Sequence, residues 1–188
     1  MSILLVMATP TLELELTTEE TALPIRNLYP LYLHDIASYE HKPPNRHGVL
    51  VDNDDMKSWE ELLDSQRAWW RTPELLFPYV IRVDGTPVGF SLVASGPYVP
   101  TDGVDLVIYE FFVVHAARGS GAAAWAAKET LARHRGSWEV ATWTTASRAI
   151  AFWRRSLGEL TDGRVVETNE EHEWGPRVVW RFENSDAT

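Results

Sequence analysis

The stretch best suited to binding a ligand is a glycine-containing turn that follows a long apolar segment. Phe112-Val113-Val114 ends that segment, and Arg118-Gly119-Ser120-Gly121-Ala122-Ala123-Ala124 follows shortly after it. This order predicts a buried strand, a short turn and a helix whose first backbone N–H groups are free to bind an anion. Gly119 and Gly121 let the backbone approach a phosphate closely, and Arg118 adds a charge-assisted donor. The small alanines allow the first helical turn to pack under a bulky ligand, so the stretch predicts a pyrophosphate site.

This turn differs from two other phosphate-binding motifs. No Gly-Lys-Ser/Thr follows, so it is not a P-loop, and the third glycine of the dinucleotide motif Gly-x-Gly-x-x-Gly is missing. An alternative interpretation is a tight strand–helix turn that leads into an alanine-rich core helix and binds nothing.

Glu110 is the candidate for proton transfer. It lies inside the apolar run 105–114, where desolvation would raise the pKa of its carboxyl group toward the range useful for a general base. The alternative is a structural glutamate paired with an Arg or a Tyr. Glu110 and Val113 have opposite parity on an ideal strand, so we expect them to share a cleft only if a bulge lies between them.

Composition limits the classes of partner. The chain has 188 residues, a formal net charge of −10 and no cysteine. The negative charge argues against nucleic-acid backbone binding and is compatible with a cationic small molecule. The lack of cysteine excludes disulfides and Cys-ligated zinc and fits the reducing cytoplasm. No apolar run is long enough to predict a transmembrane helix, and the loop histidines His41 and His47 lack the carboxylate partners of a metal site.

The hydrophobic pattern places the turn in a mixed succession of strands and helices. Alternation predicts a strand over 11–16, and Thr17 with Glu20 has the spacing of a capping box, which predicts a helix start. Pro24 and Pro30 predict that this first helical region is broken into short pieces.

The remaining elements suit a single domain. Asp84-Gly85 between two apolar runs predicts a hairpin, and Gly158 is predicted to lie just past the end of the last helix. We predict further strands over 79–83, 88–93, 105–114, 138–143, 164–167 and 177–182, and helices over 58–71, 121–135 and 147–157. We therefore expect one domain over 11–184, an N-terminal extension of residues 1–10 and a tail of residues 185–188.

The motif resembles that of the GNAT superfamily of acyl-CoA-dependent N-acetyltransferases. The family signature Gln/Arg-x-x-Gly-x-Gly/Ala is matched at every defined position by Arg118 to Ala123, with Val113 at the expected place upstream. Other segments resemble a small bacterial group of predicted acetyltransferases without an assigned substrate. These segments are Leu31-Tyr32-Leu33-His34-Asp35, Glu110-Phe111-Phe112-Val113, Ala151-Phe152-Trp153-Arg154-Arg155 and Phe182-Glu183-Asn184.

The resemblance implies a fold and a mechanism. The fold would be an α/β (α+β) GNAT-like domain, with a mixed central sheet of about six to seven strands that is flanked by helices and splayed at the central strand. Acetyl-CoA would be the co-substrate and no metal would be needed. Backbone groups of Phe112 and Val113 would pair with the pantetheine arm, and a Val113 N–H would polarise the thioester carbonyl. Pyrophosphate would lie over 118–124, and Glu110 would be the base.

The sequence departs from the family at the usual general acid. In the pattern Asn-x-x-Ala-x-x-x-Tyr, aligned on Ala149, Ala146 replaces the Asn and Trp153 replaces the Tyr. An indole does not supply a proton near neutral pH, so Trp153 is expected to line the CoA wall or to be core.

The function implied by the resemblance is N-acetylation of a primary amine on a small or cationic acceptor, by direct attack in a ternary complex. The alternative is an acyl-CoA-binding sensor with little turnover, a role that the missing Tyr would suit. A strand near the C-terminus with an exposed edge makes a homodimer possible.

Overall fold

The computed structural model describes residues 9–51, 55–172 and 175–184. Residues 1–8 of the expected extension and the expected tail 185–188 lie outside the described residues. Within the described ranges, no helix combines the length and apolar character needed to cross a membrane.

A seven-stranded mixed sheet forms the centre of the molecule, in the order β1-β2-β3-β4-β5-β7-β6. β2 and β3 form the predicted hairpin, in which Asp84 and Gly85 both have positive φ, as a tight two-residue turn requires. The strands are β1 (Leu12–Leu16), β2 (Leu76–Val83), β3 (Thr86–Ser95), β4 (Leu106–Val113), β5 (Gly136–Trp143), β6 (Val166–Glu170) and β7 (Arg177–Asn184).

β4 and β5 are the one parallel pair in the described sheet, and they separate along their length. Their register covers only three pairs, from Leu106↔Trp138 to Ile108↔Val140. Beyond these pairs, residues 109–113 of β4 and 141–143 of β5 are not paired with one another, and we call this opening the β4–β5 gap. The splay expected at the central strand is therefore confirmed, as is the mixed fold class.

Helices cover both faces of the sheet. One face carries α1 (Leu23–Glu40) and α2 (Trp59–Ser65), the latter followed by a 3₁₀ turn over Gln66–Trp70. The other carries α3 (Ala122–Ala132) and α4 (Ser147–Leu160), which pack on Val113, Trp138 and Trp180 in the main core. The gap thus lies between two helical layers.

The start of α1 differs from the prediction. The helix begins at Leu23, and Thr17 instead donates its hydroxyl to the Pro78 carbonyl at 2.8 Å and accepts from the Trp70 indole at 3.0 Å. Thr17 is therefore occupied by tertiary contacts and does not cap a helix.

The interior of α1 also differs. The helix runs unbroken for 18 residues through Pro30. Proline in a helix costs about 3 kcal/mol, but the same helix buries Ile25 and packs Tyr29 and Tyr32 on the sheet. We infer that this packing outweighs the lost backbone hydrogen bond.

α4 extends three residues past the predicted end. Gly158 lies inside the helix, which ends at Leu160, because Leu157 is buried and Leu160 packs on the main core. The predicted helix over 58–71 is divided between α2, capped by Ser58, and the 3₁₀ turn.

Candidate active site

A bulge in β4 decides which side chains face each helical layer. Val93 pairs with Ile108, and Leu92 pairs with Glu110, so Tyr109 is the extra residue. The bulge therefore precedes Glu110, and it does not lie between Glu110 and Val113 as a shared cleft for their side chains would require. From Glu110 onward the register is regular. The side chains of Glu110 and Phe112 point to the α1 face, whereas those of Phe111 and Val113 point to the α3 face.

The backbone groups of β4 follow a different rule, because they lie in the plane of the sheet. Val114 N–H donates to the Val88 carbonyl of β3 at 2.8 Å. In an antiparallel ladder, alternate residues direct both of their polar groups to the same neighbour. Phe112 therefore also directs its groups to β3, while Phe111 and Val113 direct theirs into the β4–β5 gap. The Glu110 side chain lies above the sheet and the Val113 N–H lies in its plane. Both groups can therefore border the same gap, although the two side chains are on opposite faces.

Glu110 is held by α1. The Tyr29 hydroxyl donates to Glu110 Oε1 at 2.8 Å, and Glu110 Oε2 is buried without a hydrogen-bond partner among the described residues. Burial raises the pKa of the Glu110 carboxyl to about 7, and the Tyr29 hydrogen bond opposes part of that rise. The carboxyl group therefore changes protonation near neutral pH, which suits a general base.

Aromatic rings close the gap on the α3–α4 face. The Phe111 ring lies 5.8 Å from Phe152, nearly parallel to it, and 5.2 Å from Trp153, edge-on. Trp153 is only 5% exposed and belongs to the main core. Trp153 therefore packs beneath β4 as part of the main core, one of the two positions expected for it.

α1 covers the opposite face. The Thr145 hydroxyl, in the turn between β5 and α4, donates to the Tyr39 carbonyl near the end of α1 at 3.2 Å. The helix therefore reaches from Glu110 on β4 to the β5 side of the gap. Near the bulge, Tyr109 is 57% exposed and its ring meets that of Trp69 at 5.8 Å.

The turn before α3 has the geometry of an anion site. Gly119 and Gly121 have φ values of +81° and +89°, and a Cβ on either would meet nothing within 4 Å. Trp125 N–H makes the first helical bond, to the Gly121 carbonyl at 3.0 Å, and Ala122 N–H is 3.3 Å from Ser120 Oγ. The N–H groups of Ala123 and Ala124 precede the bonds of the helix. A phosphate group fits this turn because backbone donors and open space meet there.

The Arg118 side chain turns away from this site. Its Nε donates to the Val113 carbonyl at 2.9 Å, and its Nη2 pairs with the Asp35 carboxylate on α1. Arg118 thus joins the turn to β4 and α1, and the groups that the turn offers to an anion are its backbone N–H groups and the helix dipole.

The sequence reasoning missed two residues. Tyr29 follows Ile25 and precedes Tyr32 at helical spacing, a stripe that would have been visible if the helix had been continued through Pro30. Phe111 was not chosen because its backbone direction depends on the bulge.

Comparisons with known proteins show the family and the fold. Residues 33–158 match the family described as "Acetyltransferase (GNAT) family". An acetyltransferase from Thermus thermophilus has a similar structure at 13% identity, with a TM-score of 0.64 and coverage of 94% of this chain and 99% of the other.

Two similar structures were solved with ligands. An aminoglycoside acetyltransferase in complex with coenzyme A is 19% identical, with a TM-score of 0.58 and coverage of 93% and 95% of the two chains. A Salmonella typhimurium protein with its cofactor acetyl-CoA is 13% identical, with a TM-score of 0.58 and coverage of 95% and 96%.

No curated protein matches the sequence. At these low identities the solved structures show the fold alone, whereas the family match covers most of the chain. The chain therefore belongs to the GNAT family of acetyltransferases.

Proposed function

We propose that this acetyltransferase transfers an acetyl group from acetyl-CoA to a primary amine of a small or cationic acceptor, by direct attack in a ternary complex. The observation that carries the proposal is the β4–β5 gap, which opens between Glu110, whose Oε2 is buried, and the glycine turn before α3.

The pantetheine arm of acetyl-CoA suits the gap, because its amides match unpaired backbone groups. Val113 N–H and the N–H and C=O of Phe111 face the gap, while the Val113 carbonyl is taken by Arg118. The backbone groups of Phe112 bond to β3. Phe111, instead of Phe112, therefore pairs with the amides of the pantetheine arm. Phe112 contributes its ring, which lies under the Arg118 guanidinium at 5.9 Å.

The pyrophosphate is assigned to the turn 118–124. The backbone N–H groups of Gly119, Ser120, Gly121, Ala123 and Ala124 supply the donors. The Ala122 N–H bonds to Ser120 Oγ and so shapes the turn, and Arg118 holds the turn against β4. Trp153 supports the Phe111 side of the gap.

Glu110 acts as the base, and the backbone N–H of Val113 stabilises the charge on the thioester oxygen. Glu110 accepts a proton from the ammonium group of the acceptor, and the neutral amine then attacks the thioester carbonyl. The C–N bond forms, the C–S bond breaks, and the CoA thiolate leaves and takes up the second proton that the nitrogen loses. Val113 N–H donates to the carbonyl oxygen as negative charge develops there, a contribution that in other enzymes is worth about 3–4 kcal/mol per donor. A protonation change near pH 7 makes this base effective at neutral pH.

Charge and aromatic rings favour a cationic acceptor. The net charge is −10, and the ring of Tyr109, the residue that precedes Glu110, contacts the ring of Trp69. Negative potential raises the local concentration of a cation, and aromatic faces attract ammonium groups.

The first experiment is thermal unfolding with acetyl-CoA. At one hundred times Kd, the ligand stabilises the fold by about 2.7 kcal/mol, which raises Tm by roughly 5–10 °C for a domain of this size. Gly121→Glu places a carboxylate in the turn and should abolish this shift.

Gly163→Glu is the matched control. Gly163 also has positive φ (+77°) and an unobstructed Cβ direction, but it lies beyond the far end of α4. Both variants suffer the same backbone strain and gain the same charge, so only Gly121→Glu should lose the ligand shift. Equal shifts in the two variants would remove the turn from the site.

A turnover assay distinguishes the proposed acetyltransferase from the alternative, an acyl-CoA-binding sensor. A panel of primary amines is incubated with acetyl-CoA and the released CoA thiol is measured. Faster release with one class of amine supports the enzyme, whereas binding without release for every amine would leave the sensor.

A further inference from the structure

A group of polar side chains, some of whose polar atoms are fully buried, lies where α1, the 3₁₀ turn and β4 meet. It contains Glu110, the Tyr29 hydroxyl and the side-chain amide of Gln66, which is only 6% exposed. Among the described residues, Glu110 Oε2 and both polar atoms of the Gln66 amide lack a hydrogen-bond partner. Buried polar atoms in folded proteins are nearly always paired, so unpaired ones in a single cluster point to a functional use.

Among the described residues, one hydrogen bond joins members of this cluster, from Tyr29 to Glu110. Tyr29 has a single hydroxyl proton, and that proton goes to Glu110 Oε1 at 2.8 Å. The Gln66 amide lies beside the Tyr29 oxygen and acts to lower the pKa of Tyr29, whereas burial and Glu110 raise it. The direction of the bond follows from its two partners alone, because an ionised carboxylate can only accept and the hydroxyl must therefore donate.

We propose that Tyr29 is a positioning residue that fixes Glu110 Oε1, so that Oε2 is the oxygen that takes the proton from the acceptor amine. This inference rests on the proposed function. In the step, an N–H bond of the ammonium group breaks and an O–H bond forms at Oε2, which leaves a neutral carboxylic acid and a neutral amine. Tyr29 still donates to Oε1 of the acid, so the proton stays on Oε2.

Tyr29 also sets the pH at which Glu110 works. The titratable side chains that face Glu110 are Tyr29 and Tyr32 of α1 and Tyr109 of β4, while β3 and the 3₁₀ turn face it with Leu92 and Gln66. Burial raises the pKa of both Tyr29 and Tyr32 above the usual value, so both stay neutral at working pH. Because the Tyr29 hydrogen bond stabilises the charged carboxylate, its removal should raise the pKa of Glu110.

The test is Tyr29→Phe, with Tyr32→Phe as the matched control. Both changes remove one hydroxyl from α1, and both rings pack near Phe90, at 6.0 and 5.6 Å between centroids. The pKa of Glu110 is measured by NMR on protein labelled with ¹³C at glutamate carboxyls, and Glu110→Gln identifies the signal. We expect a rise of about one pKa unit in Tyr29→Phe and no change in Tyr32→Phe.

Activity provides the second readout. In Tyr29→Phe, the acidic limb of kcat/KM should move to higher pH by the same amount, with a several-fold loss at pH 6.5 and recovery above pH 9. A loss by one constant factor at every pH would overturn the proposal, because general damage to the fold produces that result. Gln66→Leu keeps the tyrosine and should move the acidic limb of kcat/KM to higher pH by a smaller amount. It replaces Tyr29→Phe as the test if that variant does not fold.

The two readouts separate this inference from the proposed function. The carboxyl titration needs neither acetyl-CoA nor an amine, so an unchanged pKa of Glu110 overturns the role of Tyr29 even in an active enzyme. A shifted pKa without turnover on any amine rejects the proposed function and, with it, the role of Oε2 as the accepting oxygen.

Discussion

Replacing Glu110 by Gln should make the protein more stable at high pH while it removes the proposed base. Burial raises the pKa of Glu110 from its ordinary value of 4.5 to about 7. The folded state therefore binds a proton there more tightly than the unfolded state does. The favourable contribution of the protonated group is complete below pH 4.5, is lost as the pH rises toward 7, and is absent above that.

The magnitude follows from the size of the shift. One pKa unit corresponds to about 1.4 kcal/mol, so ionised Glu110 costs the fold about 3 kcal/mol at pH 8. Glutamine has nearly the same shape and can still accept from Tyr29. Relative to the native chain, Glu110→Gln should therefore raise Tm by roughly 5–10 °C at pH 8 and by much less at pH 5.

The assay is thermal unfolding of both proteins from pH 5 to pH 9, compared at each pH so that the other ionisable groups cancel. Glu139→Gln is the control, because Glu139 is only 2% exposed and accepts from Arg181 at 2.7 Å. Breaking that pair should lower stability by about 1–3 kcal/mol at pH 8, the opposite sign. Equal Tm differences between Glu110→Gln and the native chain at pH 5 and pH 8 would refute the reasoning.

Three further predictions concern packing and the backbone. Trp153→Ala should cost about 3–5 kcal/mol of stability in urea unfolding, whereas Trp153→Phe should keep turnover near the native rate. Lost turnover at native stability would instead give Trp153 a chemical role. Gly89→Ala should cost about 3 kcal/mol, because its Cβ would lie 2.1 Å from the Phe112 carbonyl oxygen. Gly158→Ala, inside α4 with nothing within 4 Å, should instead stabilise by about 0.5–1 kcal/mol in the same assay.

Local sequence signals predicted the order of the elements, the hairpin and the turn before α3. Asp84-Gly85 and the glycines at 119 and 121 succeed as signals because they encode positive φ, a property of the residue itself. Thr17 fails as a capping signal because its hydroxyl bonds to Pro78, 61 residues away. Pro30 misleads for a related reason, since the sheet that holds α1 in one piece is formed by distant residues.

The candidate site was predictable in part for the same reason. Glu110 stood out as a charged residue in an apolar run, and the turn stood out by its glycines. The position of the bulge at Tyr109 could not be predicted, because register depends on pairing with β3. The hydroxyl that holds Glu110 and the carboxylate that holds Arg118 both come from α1, 81 and 83 residues away in sequence.

The β4–β5 gap gives the centre of this sheet an unusual exposure to hydrogen exchange. Amides in a central strand normally exchange only when the whole domain opens. Phe111 and Val113 sit in the fourth of seven strands, yet their N–H groups face the gap instead of a neighbouring strand. Their deuterium uptake in the free protein should be fast relative to that of Phe112, which is bonded to β3. A bound pantetheine arm would slow the exchange at Phe111 and Val113 but not at Phe112 between them, so the difference between these neighbouring amides reports whether the site is filled.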